Sequence, residues 1–314
     1  MAAAALAVSL VLTLCRTMTP SPRLWVIATA FVPLAVLGYA VAALLWWAVR
    51  GRDPGRWRAV TTFGLVLSLV GLLFHVALLV PSYAGGHARG RAELTVLTSN
   101  QRLGQADPHA VARIASGVRA DVVVLEEVTP AEMGTLTVLR DTHPYVAGEA
   151  APWGYGTVVL SRYPLSDVTQ LKVSKGAWSM RVAAPRPFWL VAVHTAQPLA
   201  DYRSYGPDHD AIQAAVSHLD GPVVVAGDFN STLDQRPMRR LLDAGLSDAA
   251  RQSNAGWQAT WPVDQRDGRL KPFGLGLMTL DHVLCTRDFS AVSTSTLDVR
   301  GSDHLALVAR LAER

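Results

Sequence analysis

The stretch "VVVAGDFNST", residues 223–232, places polar side chains directly after an apolar run. Its first four residues have the length and β-branched composition of a buried strand. A glycine then permits a turn, and Asp228, Phe229 and Asn230 follow it. Residues two apart on an extended chain share a face, so we expect Asp228 and Asn230 to point together and Phe229 to point back into the core. The stretch therefore predicts a rigid strand whose tip presents a carboxylate and a carboxamide side by side.

Short apolar runs of this kind recur from residue 93 to residue 314. Helices are predicted after the capping residues Asp107 and Thr129, and at residues 208–219 and 237–243. The apolar strands at the centre of the pattern have no polar face, which indicates that both of their faces are covered. The pattern predicts an α/β (α+β) sandwich of sheets with helices outside. The predicted strands are residues 94–100, 121–128, 156–162, 178–184, 188–195, 222–229, 279–286 and 303–311.

Polar residues stand where these apolar strands stop, and we expect them to meet at one edge of a sheet. Burying isolated carboxylates costs free energy unless something compensates their charge, and a divalent cation is the simplest compensation. Carboxylate and amide oxygens suit Mg²⁺, Mn²⁺ or Ca²⁺ rather than a thiolate zinc site. The strand-end residues are Asn100, Glu126, Glu127, His194, Asp228, Asn230, Asp281, His282, Asp303 and His304.

On these residues the sequence resembles the endonuclease/exonuclease/phosphatase superfamily, whose members have the deoxyribonuclease-I-like fold. The resemblance covers about residues 93–314, and its motifs stand in the family's order. It implies a four-layer α/β/β/α sandwich and metal-dependent hydrolysis of phosphate esters. The matching pieces are "TSN" at 98–100, "DVVVLEEV" at 121–128, "GTVVLSRYPL" at 156–165, "VAVHT" at 191–195, "GDFN" at 227–230, "LDHVL" at 280–284 and "SDH" at 302–304.

The resemblance also implies a role for each site residue. Glu127 aligns with the main metal ligand, with Asn100 near the metal and Asp303 completing its shell. Asp228 would orient or deprotonate the attacking water, and Asn230 would hydrogen-bond the phosphoryl oxygens. The remaining catalytic residues are His304, which would face the phosphate in a position set by Asp281, and His194, which would face it from the other side. The implied pocket-lining residues are Tyr155, Arg162 and Arg203, the last in a loop at 196–210 with Tyr202 and Tyr205.

Several sites keep a second interpretation or depart from the family's pattern. Glu126 stands where the family usually has Gln and is expected to be a flanking hydrogen-bonding residue. His194 can also be a half-buried strand histidine without a catalytic role. Relatives that cut abasic DNA often carry Asp two residues after the first Asn, and Arg102 stands there in this chain.

The apolar composition, half of the 314 residues, is concentrated at the N-terminus. Residues 24–49 and 59–81 are long, charge-free runs that exceed the ~20 residues needed to cross a bilayer, and residues 2–18 form a shorter run. We therefore predict a membrane region at residues 1–81 with two to three transmembrane helices, a linker at 82–92, and a catalytic domain at 93–314. Cys15 and Cys285 lie too far apart in the pattern to indicate a disulfide framework.

Arginines set the expected orientation of the membrane region. The link "RGRDPGRWR", residues 50–58, carries four arginines, and short Arg-rich loops stay in the cytoplasm. The arginines at positions 16, 23, 89 and 91 oppose this assignment in smaller groups. The balance predicts a multi-pass protein of the cell membrane with its catalytic domain outside the cell.

The sequence thus predicts a membrane-anchored phosphoesterase, expected to be a phosphodiesterase, that uses Mg²⁺ or Mn²⁺. The expected partners are the lipid bilayer and a phosphate-ester substrate, with no obligate protein partner evident. Two substrate classes stay open: a phospholipid headgroup, as for a sphingomyelinase-like enzyme, and extracellular DNA or RNA. A binding or sensor domain without catalysis is the alternative from a different functional class.

Overall fold

The computed structural model describes residues 1–52, 55–85, 92–263 and 276–314. The chain divides into two compact units. One comprises Met1–Pro81 with Asp234–Arg236, and the other comprises Ser82–Leu233 with Pro237–Arg314. Most of the predicted linker at 82–92 lies outside the described residues, as does part of the Arg-rich link at 50–58.

The N-terminal unit is helical: α1 is Ala2–Met18, α2 Arg23–Thr29, α3 Ala35–Arg50 and α4 Arg58–Tyr83. Among the described residues, two helical stretches, Val32–Arg50 and Arg58–Tyr83, are long and apolar enough to cross a membrane. Counting α1 and α2 as one helix, despite the 104° bend at their break, would give a third candidate. The predicted helix at 24–49 is interrupted by a 3₁₀ turn that contains Pro33, because proline lacks the N–H that a continuous helix requires.

Small and polar residues pack the inside of this helical unit. A Cβ on Gly71 would come within 2.2 Å of the Tyr39 ring, so α3 and α4 approach closely at a residue without a side chain. The Thr13 hydroxyl lies 2.6 Å from the Tyr39 hydroxyl and 2.9 Å from Nε2 of His75. These polar groups, of which Tyr39 and His75 are buried, link α1, α3 and α4 through hydrogen bonds.

The described residues of the C-terminal unit form two six-stranded sheets, with strand orders β11-β12-β1-β2-β4-β3 and β5-β6-β7-β8-β10-β9. The strands are β1 Leu94–Asn100, β2 Val122–Glu126, β3 Tyr145–Glu149, β4 Thr157–Ser161, β5 Leu165–Gln170, β6 Gly176–Val182, β7 Phe188–His194, β8 Val223–Asp228, β9 Ser247–Asp248, β10 Asp281–Cys285, β11 Phe289–Asp298 and β12 Leu305–Glu313. The helices are α5 Pro108–Val118, α6 Pro130–Thr135, α7 Thr137–Arg140, α8 Tyr202–Ser217, α9 Arg236–Asp243 and α10 Ala249–Gln252.

The two sheets face one another across a dry core. One face of each sheet contributes to it, through buried residues that include Val96, Val124, Val159, Ala192, Val224 and Val283. The opposite face of the first sheet packs on α5 and on the α6–α7 segment, and that of the second packs on α8 and α9. The four layers run helix, sheet, sheet, helix, which confirms the predicted α/β/β/α sandwich.

The C-terminal unit also differs from the sequence prediction in the start of one helix, the end of one strand and the edge strands. Helix α8 begins at Tyr202 rather than at residue 208, because the Asp201 side chain caps it by accepting from the Ser204 N–H. Strand β2 ends at Glu126, so Glu127 is outside it. The four strands that were not predicted, β3, β5, β9 and β11, are the four edge strands of the two sheets.

Candidate catalytic site

The dry core between the sheets ends in a layer of polar side chains. Five strands of the two sheets contribute to this layer: β1, β2, β7, β8 and β10. Along each strand the side chains that face the core are apolar, but near one end of the strand a polar side chain faces the core instead. The register joins these ends: Asn100 pairs with Glu126, and Asp228 pairs with both His194 and Asp281. All five side chains are buried. The sheets therefore bring together strand-end residues that are up to 181 positions apart in the chain (Asn100 and Asp281).

A tight turn follows β8 and holds its two polar residues together. The Asp228 Oδ1 accepts from the Asn230 N–H at 2.8 Å, and its Oδ2 accepts from the Asn100 amide at 3.0 Å. Asn230 has a φ of 46° and donates from Nδ2 to the Thr195 carbonyl at 2.9 Å. Asp228 and Asn230 are adjacent because of this hydrogen-bonded turn, rather than through the alternation of an extended strand. Phe229 is fully buried in the core beneath, as predicted.

The glycine before this turn is required by a close approach of two strands. Gly227 has a φ of 145°, and a Cβ at this position would lie 1.9 Å from the Val193 carbonyl oxygen. The β7 and β8 backbones therefore meet where Asp228 leaves the sheet. A side chain at residue 227 would push Asp228 away from its partners.

His304 lies between two buried carboxylates. Its Nδ1 lies 2.9 Å from Oδ2 of Asp281, and its Nε2 lies 3.9 Å from Oδ2 of Asp228. Burial alone would lower the pKa of His304, but the charges of Asp281 and Asp228 outweigh it and raise the pKa to about 10. His304 therefore carries a positive charge at neutral pH. It precedes β12, and its N–H donates to Ser302 Oγ, which itself donates to the Asn100 carbonyl.

Asp228 is the carboxylate best suited to act as a base. Burial, followed by the Asp281 charge, raises its pKa, although the His304 cation opposes the shift. A base whose pKa is close to neutral can accept a proton and still be ionised when the substrate binds. The neighbouring Asn100 amide fixes the direction of the Asp228 carboxylate.

His194 differs from His304 in charge. Burial, assisted by the positive charge of Lys175, lowers the pKa of His194 to about 3. Its Nε2 lies 3.9 Å from both Glu127 Oε1 and Asp228 Oδ2. His194 is therefore a neutral imidazole beside the two carboxylates, whereas the cationic imidazole of the site is His304.

Glu127 directly follows β2, and its backbone conformation directs its side chain toward the site. It has a φ of 60°, and its Oε2 accepts from the Leu103 N–H at 2.8 Å. The side chain is 22% exposed, in contrast to the fully buried Glu126. Burial raises the pKa of Glu127, and the Asn100 amide partly counteracts this. Glu127 thus presents a carboxylate that solvent can reach, next to Asn100.

The predicted metal ligands offer hard oxygens, the donor type that Mg²⁺ and Mn²⁺ prefer. The Glu127 and Asp303 charges interact with one another, and the Asn100 amide lies next to Glu127. Asp303 also contacts two other side chains: Trp261 Nε1 at 3.4 Å and Arg102 Nε at 3.8 Å. Asn100, Glu127 and Asp303 could together hold a divalent cation by donor type. The Asn100 Oδ1 already accepts from the Arg102 N–H at 2.8 Å, and the Arg102 guanidinium compensates part of the Asp303 charge.

A second group could also hold a cation by distance alone. Ligand atoms of Asp228, Asp281 and His304 all lie within 4.8 Å of one another. However, the His304 imidazolium already bonds Asp281 and neutralises part of this cluster. The Glu127 side chain, which is 22% exposed, is more accessible to an ion from solvent than this buried cluster.

Glu126 makes a hydrogen bond and faces the core, as its predicted flanking role requires. Its Oε1 accepts from the Thr98 hydroxyl at 2.6 Å, while Oε2 is buried without a hydrogen-bond partner among the described residues. Burial, followed by the Asp281 charge, raises its pKa well above the ordinary value. In its protonated form Glu126 would offer the same donor and acceptor pattern as a Gln side chain at this position.

The three predicted pocket-lining residues have different outcomes. Tyr155 is 48% exposed. It lies on the segment next to Glu127, because a Cβ on the adjacent Gly154 would lie 3.4 Å from the Glu127 carboxyl carbon. The expectation that Arg162 lines the pocket is wrong. Arg162 follows the end of β4 that pairs with Val122, whereas the end of β4 near the site pairs with Glu126. Arg162 lies 3.8 Å from Asp121 at that distant end.

The predicted loop at 196–210 also needs correction. Arg203 is exposed in the first turn of α8 rather than in a loop. Tyr205 is buried, and its hydroxyl lies 2.7 Å from Ser231 Oγ just after the Asn230 turn. Tyr205 therefore supports the turn instead of contacting substrate. His282 supports the same turn, because its ring nitrogens lie within hydrogen-bonding distance of Asp248 Oδ2 and the Ser231 carbonyl.

Some residues near the site, among them Lys175 and Trp153, were not identified from the sequence. Lys175 stacks on the Tyr155 ring, and Trp153 is 79% exposed on the same segment as Tyr155. Neither stands at the end of an apolar strand, so the pattern that identified the other residues does not include them.

The chain is similar to known proteins in its sequence pattern and in its fold. The sequence pattern of the "Endonuclease/Exonuclease/phosphatase family" matches residues 97–304. No curated protein matches the chain. Among solved structures, an endonuclease/exonuclease/phosphatase from Beutenbergia cavernae DSM 12333 is similar, with 21% identity and a TM-score of 0.52 over 71% of this chain and 72% of that one.

Two further structures share the fold. An AP endonuclease from Archaeoglobus fulgidus has 18% identity and a TM-score of 0.57, over 69% of this chain and 98% of that one. A variant of the 3′ phosphatase NExo from Neisseria, bound to a product DNA hairpin, has 17% identity and a TM-score of 0.54, over 70% of this chain and 99% of that one.

Proposed function

The chain belongs to the endonuclease/exonuclease/phosphatase family of hydrolytic phosphoesterases, and on this premise we propose that it is a membrane-anchored phosphodiesterase that requires Mg²⁺ or Mn²⁺. The observation that carries the proposal is the polar end of the inter-sheet core. There, Asn100, His194, Asp228 and Asp281 continue the inward faces of their strands. The motif positions Asn100, Glu127, Asp228 and His304 all hold residues that are competent for phosphoester hydrolysis, which argues against a binding or sensor domain without catalysis.

Asp228 would orient the attacking water and accept its proton. Its carboxylate is fixed by the Asn100 amide and by the Asn230 N–H, so it approaches substrate in one direction. Its raised pKa makes it a stronger base than an exposed aspartate. A cation bound at Glu127, Asn100 and Asp303 would supply Lewis-acid stabilisation of the developing negative charge.

Asn230, His194 and His304 would bind the phosphoryl group. The Asn230 Nδ2 donates to the Thr195 carbonyl and makes only a long contact of 3.5 Å with Asp228, so its second N–H is available for a phosphoryl oxygen. His304 would place a fixed positive charge near the phosphate, since Asp281 keeps it protonated. Neutral His194 would donate a hydrogen bond from the other side without adding a charge.

The proposed substrate class follows from the predicted attachment to a membrane. Attachment to a membrane would hold the site close to lipid headgroups, which favours a phospholipid or sphingomyelin-like diester. Extracellular nucleic acid is the competing substrate, and two of the similar structures are named for enzymes of DNA. Cleavage of nucleic acid should weaken steeply with added salt, because bound counterions are released, whereas cleavage of a lipid with no net charge should not.

The location of the catalytic domain outside the cell also belongs to this proposal. It depends on the arginines between the two long apolar helices, which favour a cytoplasmic loop at that point. Labelling a single cysteine introduced into the catalytic unit of Cys15→Ser, Cys285→Ser protein in intact cells would test it. Access for a membrane-impermeant reagent would support the assignment, and labelling only after lysis would overturn it.

Hydrolysis of bis(p-nitrophenyl) phosphate by the full chain in detergent tests the chemistry. We expect turnover with Mg²⁺ or Mn²⁺, loss of turnover with EDTA, and loss in Asp228→Ala. Asp220→Ala is the matched control, since this exposed aspartate precedes β8 at the strand's other end. Activity that survives both EDTA and Asp228→Ala would refute the mechanism. Metal-dependent ligand binding without turnover would support the binding-domain alternative.

A further inference from the structure

Lys175 is a cation beside the catalytic site that no carboxylate among the described residues neutralises directly. Its contact is with an aromatic ring: Nζ lies 4.4 Å from the centroid of Tyr155. Its charge also acts on Asp201, but that exposed carboxylate already caps α8 by accepting from the Ser204 N–H. We propose that Lys175 and Tyr155 form a subsite that binds a second phosphate group of the substrate, next to the phosphate that is hydrolysed.

The backbone holds Lys175 next to the catalytic centre. Lys175 directly precedes Gly176, which pairs with His194 across β6 and β7. The Gly176 carbonyl accepts from the Thr157 hydroxyl at 3.1 Å, and this hydrogen bond joins β6 in one sheet to β4 in the other. Gly176 has a φ of 138°, and its hypothetical Cβ would lie 2.8 Å from the Tyr155 carbonyl. The two sheets thus fix the position from which the Lys175 side chain extends.

The strand pairing shows which side of the site Lys175 occupies. Lys175 directly precedes Gly176, which pairs with His194. His304 contacts Asp281 instead, with Nδ1 2.9 Å from its Oδ2. A phosphate held between His194 and His304 would therefore have Lys175 on its His194 flank.

A second phosphate is the ligand chemistry that this pair matches. Stacking on an aromatic face orients an ammonium group but leaves its charge to attract an anion. The His304 charge is already balanced by Asp281, whereas the positive charge of Lys175 remains available to a further substrate anion. Tyr155 is half exposed, which gives a ligand access to the pair.

The inference rests on the proposed phosphoesterase function, and paired substrates test it in the full chain in detergent. The probes are the p-nitrophenyl ester of thymidine 5′-phosphate with and without an added 3′-phosphate. We expect Lys175→Met to lower kcat/KM for the ester with two phosphates by about tenfold, and to change that for the single-phosphate ester by about twofold or less. Equal losses on both esters, or no loss on either, would overturn the subsite.

Lys172→Met is the matched control, because it removes the same charge from an exposed position three residues earlier. It should leave the ratio of the two kcat/KM values unchanged. Tyr155→Phe should also preserve this ratio, because the ring remains for Lys175 to stack on. Tyr155→Ala should reduce it, although less than Lys175→Met does.

A binding measurement separates failure of the subsite from failure of the proposed function. In an Asp228→Asn background, calorimetry would compare thymidine 3′,5′-bisphosphate with thymidine 5′-phosphate. Tighter binding of the bisphosphate that depends on Lys175, in a protein whose parent shows no turnover, would keep the subsite and reject the function. Turnover by the parent protein, without tighter binding of the bisphosphate, would keep the proposed function and reject the subsite. Glycerol 1,3-bisphosphate and glycerol 3-phosphate form a matching pair without a nucleobase. If the bisphosphate binds more tightly by the same factor in this pair, the result points to a phosphorylated headgroup. If the two glycerol compounds bind equally, the result points to a nucleotide chain.

Discussion

His304 Nδ1 lies 2.9 Å from Oδ2 of Asp281, in a hydrogen bond between two buried side chains. Asp281 supplies the largest charge effect that raises the pKa of His304 to about 10. If the protonated imidazole is needed for catalysis, kcat/KM should fall only as the pH approaches that value. Asp281→Asn should move this alkaline fall to lower pH by about one to three units.

The pH profile of kcat/KM and an NMR titration of labelled histidine would measure this shift. Asp248→Asn is the control, because Asp248 pairs with His282 in a second buried contact that lies outside the proposed chemistry. An alkaline fall that stays in place in Asp281→Asn would show that Asp281 does not keep His304 charged.

Asp228→Asn should abolish turnover while largely preserving metal binding. The substitution retains the shape of the side chain but removes the base, so we expect kcat to fall by at least about 100-fold. Binding of Mn²⁺, measured by electron paramagnetic resonance, should change by only about twofold, since Glu127 is the proposed main ligand. Equal loss of catalysis and metal binding would show that the two roles are not divided in this way.

Glu127→Gln should show the opposite separation. Replacing the solvent-accessible carboxylate with an amide removes its charge, and we expect the Kd for Mn²⁺ to rise about tenfold or more. Added Mn²⁺ should then partly restore turnover. Glu93→Gln, which changes a glutamate next to the opposite end of β1, is the control and should bind Mn²⁺ as the wild type does. Unchanged affinity in Glu127→Gln would move the metal to the cluster of Asp228, Asp281 and His304.

Gly227→Ala should lower the free energy of unfolding by about 2–4 kcal/mol, because the new methyl group meets the Val193 carbonyl and the residue keeps a positive φ. Thermal unfolding of the full chain in detergent would measure the effect. Gly206→Ala in α8, where a Cβ meets nothing within 4 Å, should be neutral or stabilising. A Gly227→Ala protein as stable as the wild type would mean that β7 and β8 can separate at the site.

The sequence predicts the central strands and most of the site for the same physical reason. Strands such as β2 and β8 are covered on both faces, so their apolar runs are unmistakable, and the polar residue after each run is visible as an interruption. The edge strands β3, β5, β9 and β11 depend on hydrogen bonds to one neighbour. Several positions in β5 and β11 are exposed and polar, so their composition does not distinguish them from loops.

Contacts between distant segments explain what the sequence does not reveal about the site. Lys175 is placed by a hydrogen bond between the two sheets, and Tyr205 by its contact with Ser231. Neither relationship leaves a local pattern along the chain. Arg162 was misassigned because a strand has two ends, and only the pairing of β4 with β2 shows which end is catalytic.

His209 should make the catalytic unit sensitive to acid. It is buried in α8, and burial is the main cause that lowers its pKa to about 4. Between pH 6.5 and 4 the unfolded chain binds a proton at this residue that the folded chain does not, so stability falls as the pH falls through this window. From pH 8 to pH 5 the loss from His209 amounts to about 2 kcal/mol.

His209→Asn isolates this effect without touching the proposed catalytic residues. The asparagine amide can replace the Nδ1 contact with the Tyr205 carbonyl but cannot titrate. The variant should be less stable than the wild type at pH 8, because the smaller side chain leaves a cavity, yet it should lose less stability on going to pH 5. Thermal unfolding followed by tryptophan fluorescence at both pH values would measure the two losses. His218→Asn, at the exposed end of the same helix, should show the wild-type difference. An acid-induced loss in His209→Asn as large as that of the wild type would assign the sensitivity to other buried groups, of which His194 is the first to test, because burial lowers its pKa in the same direction.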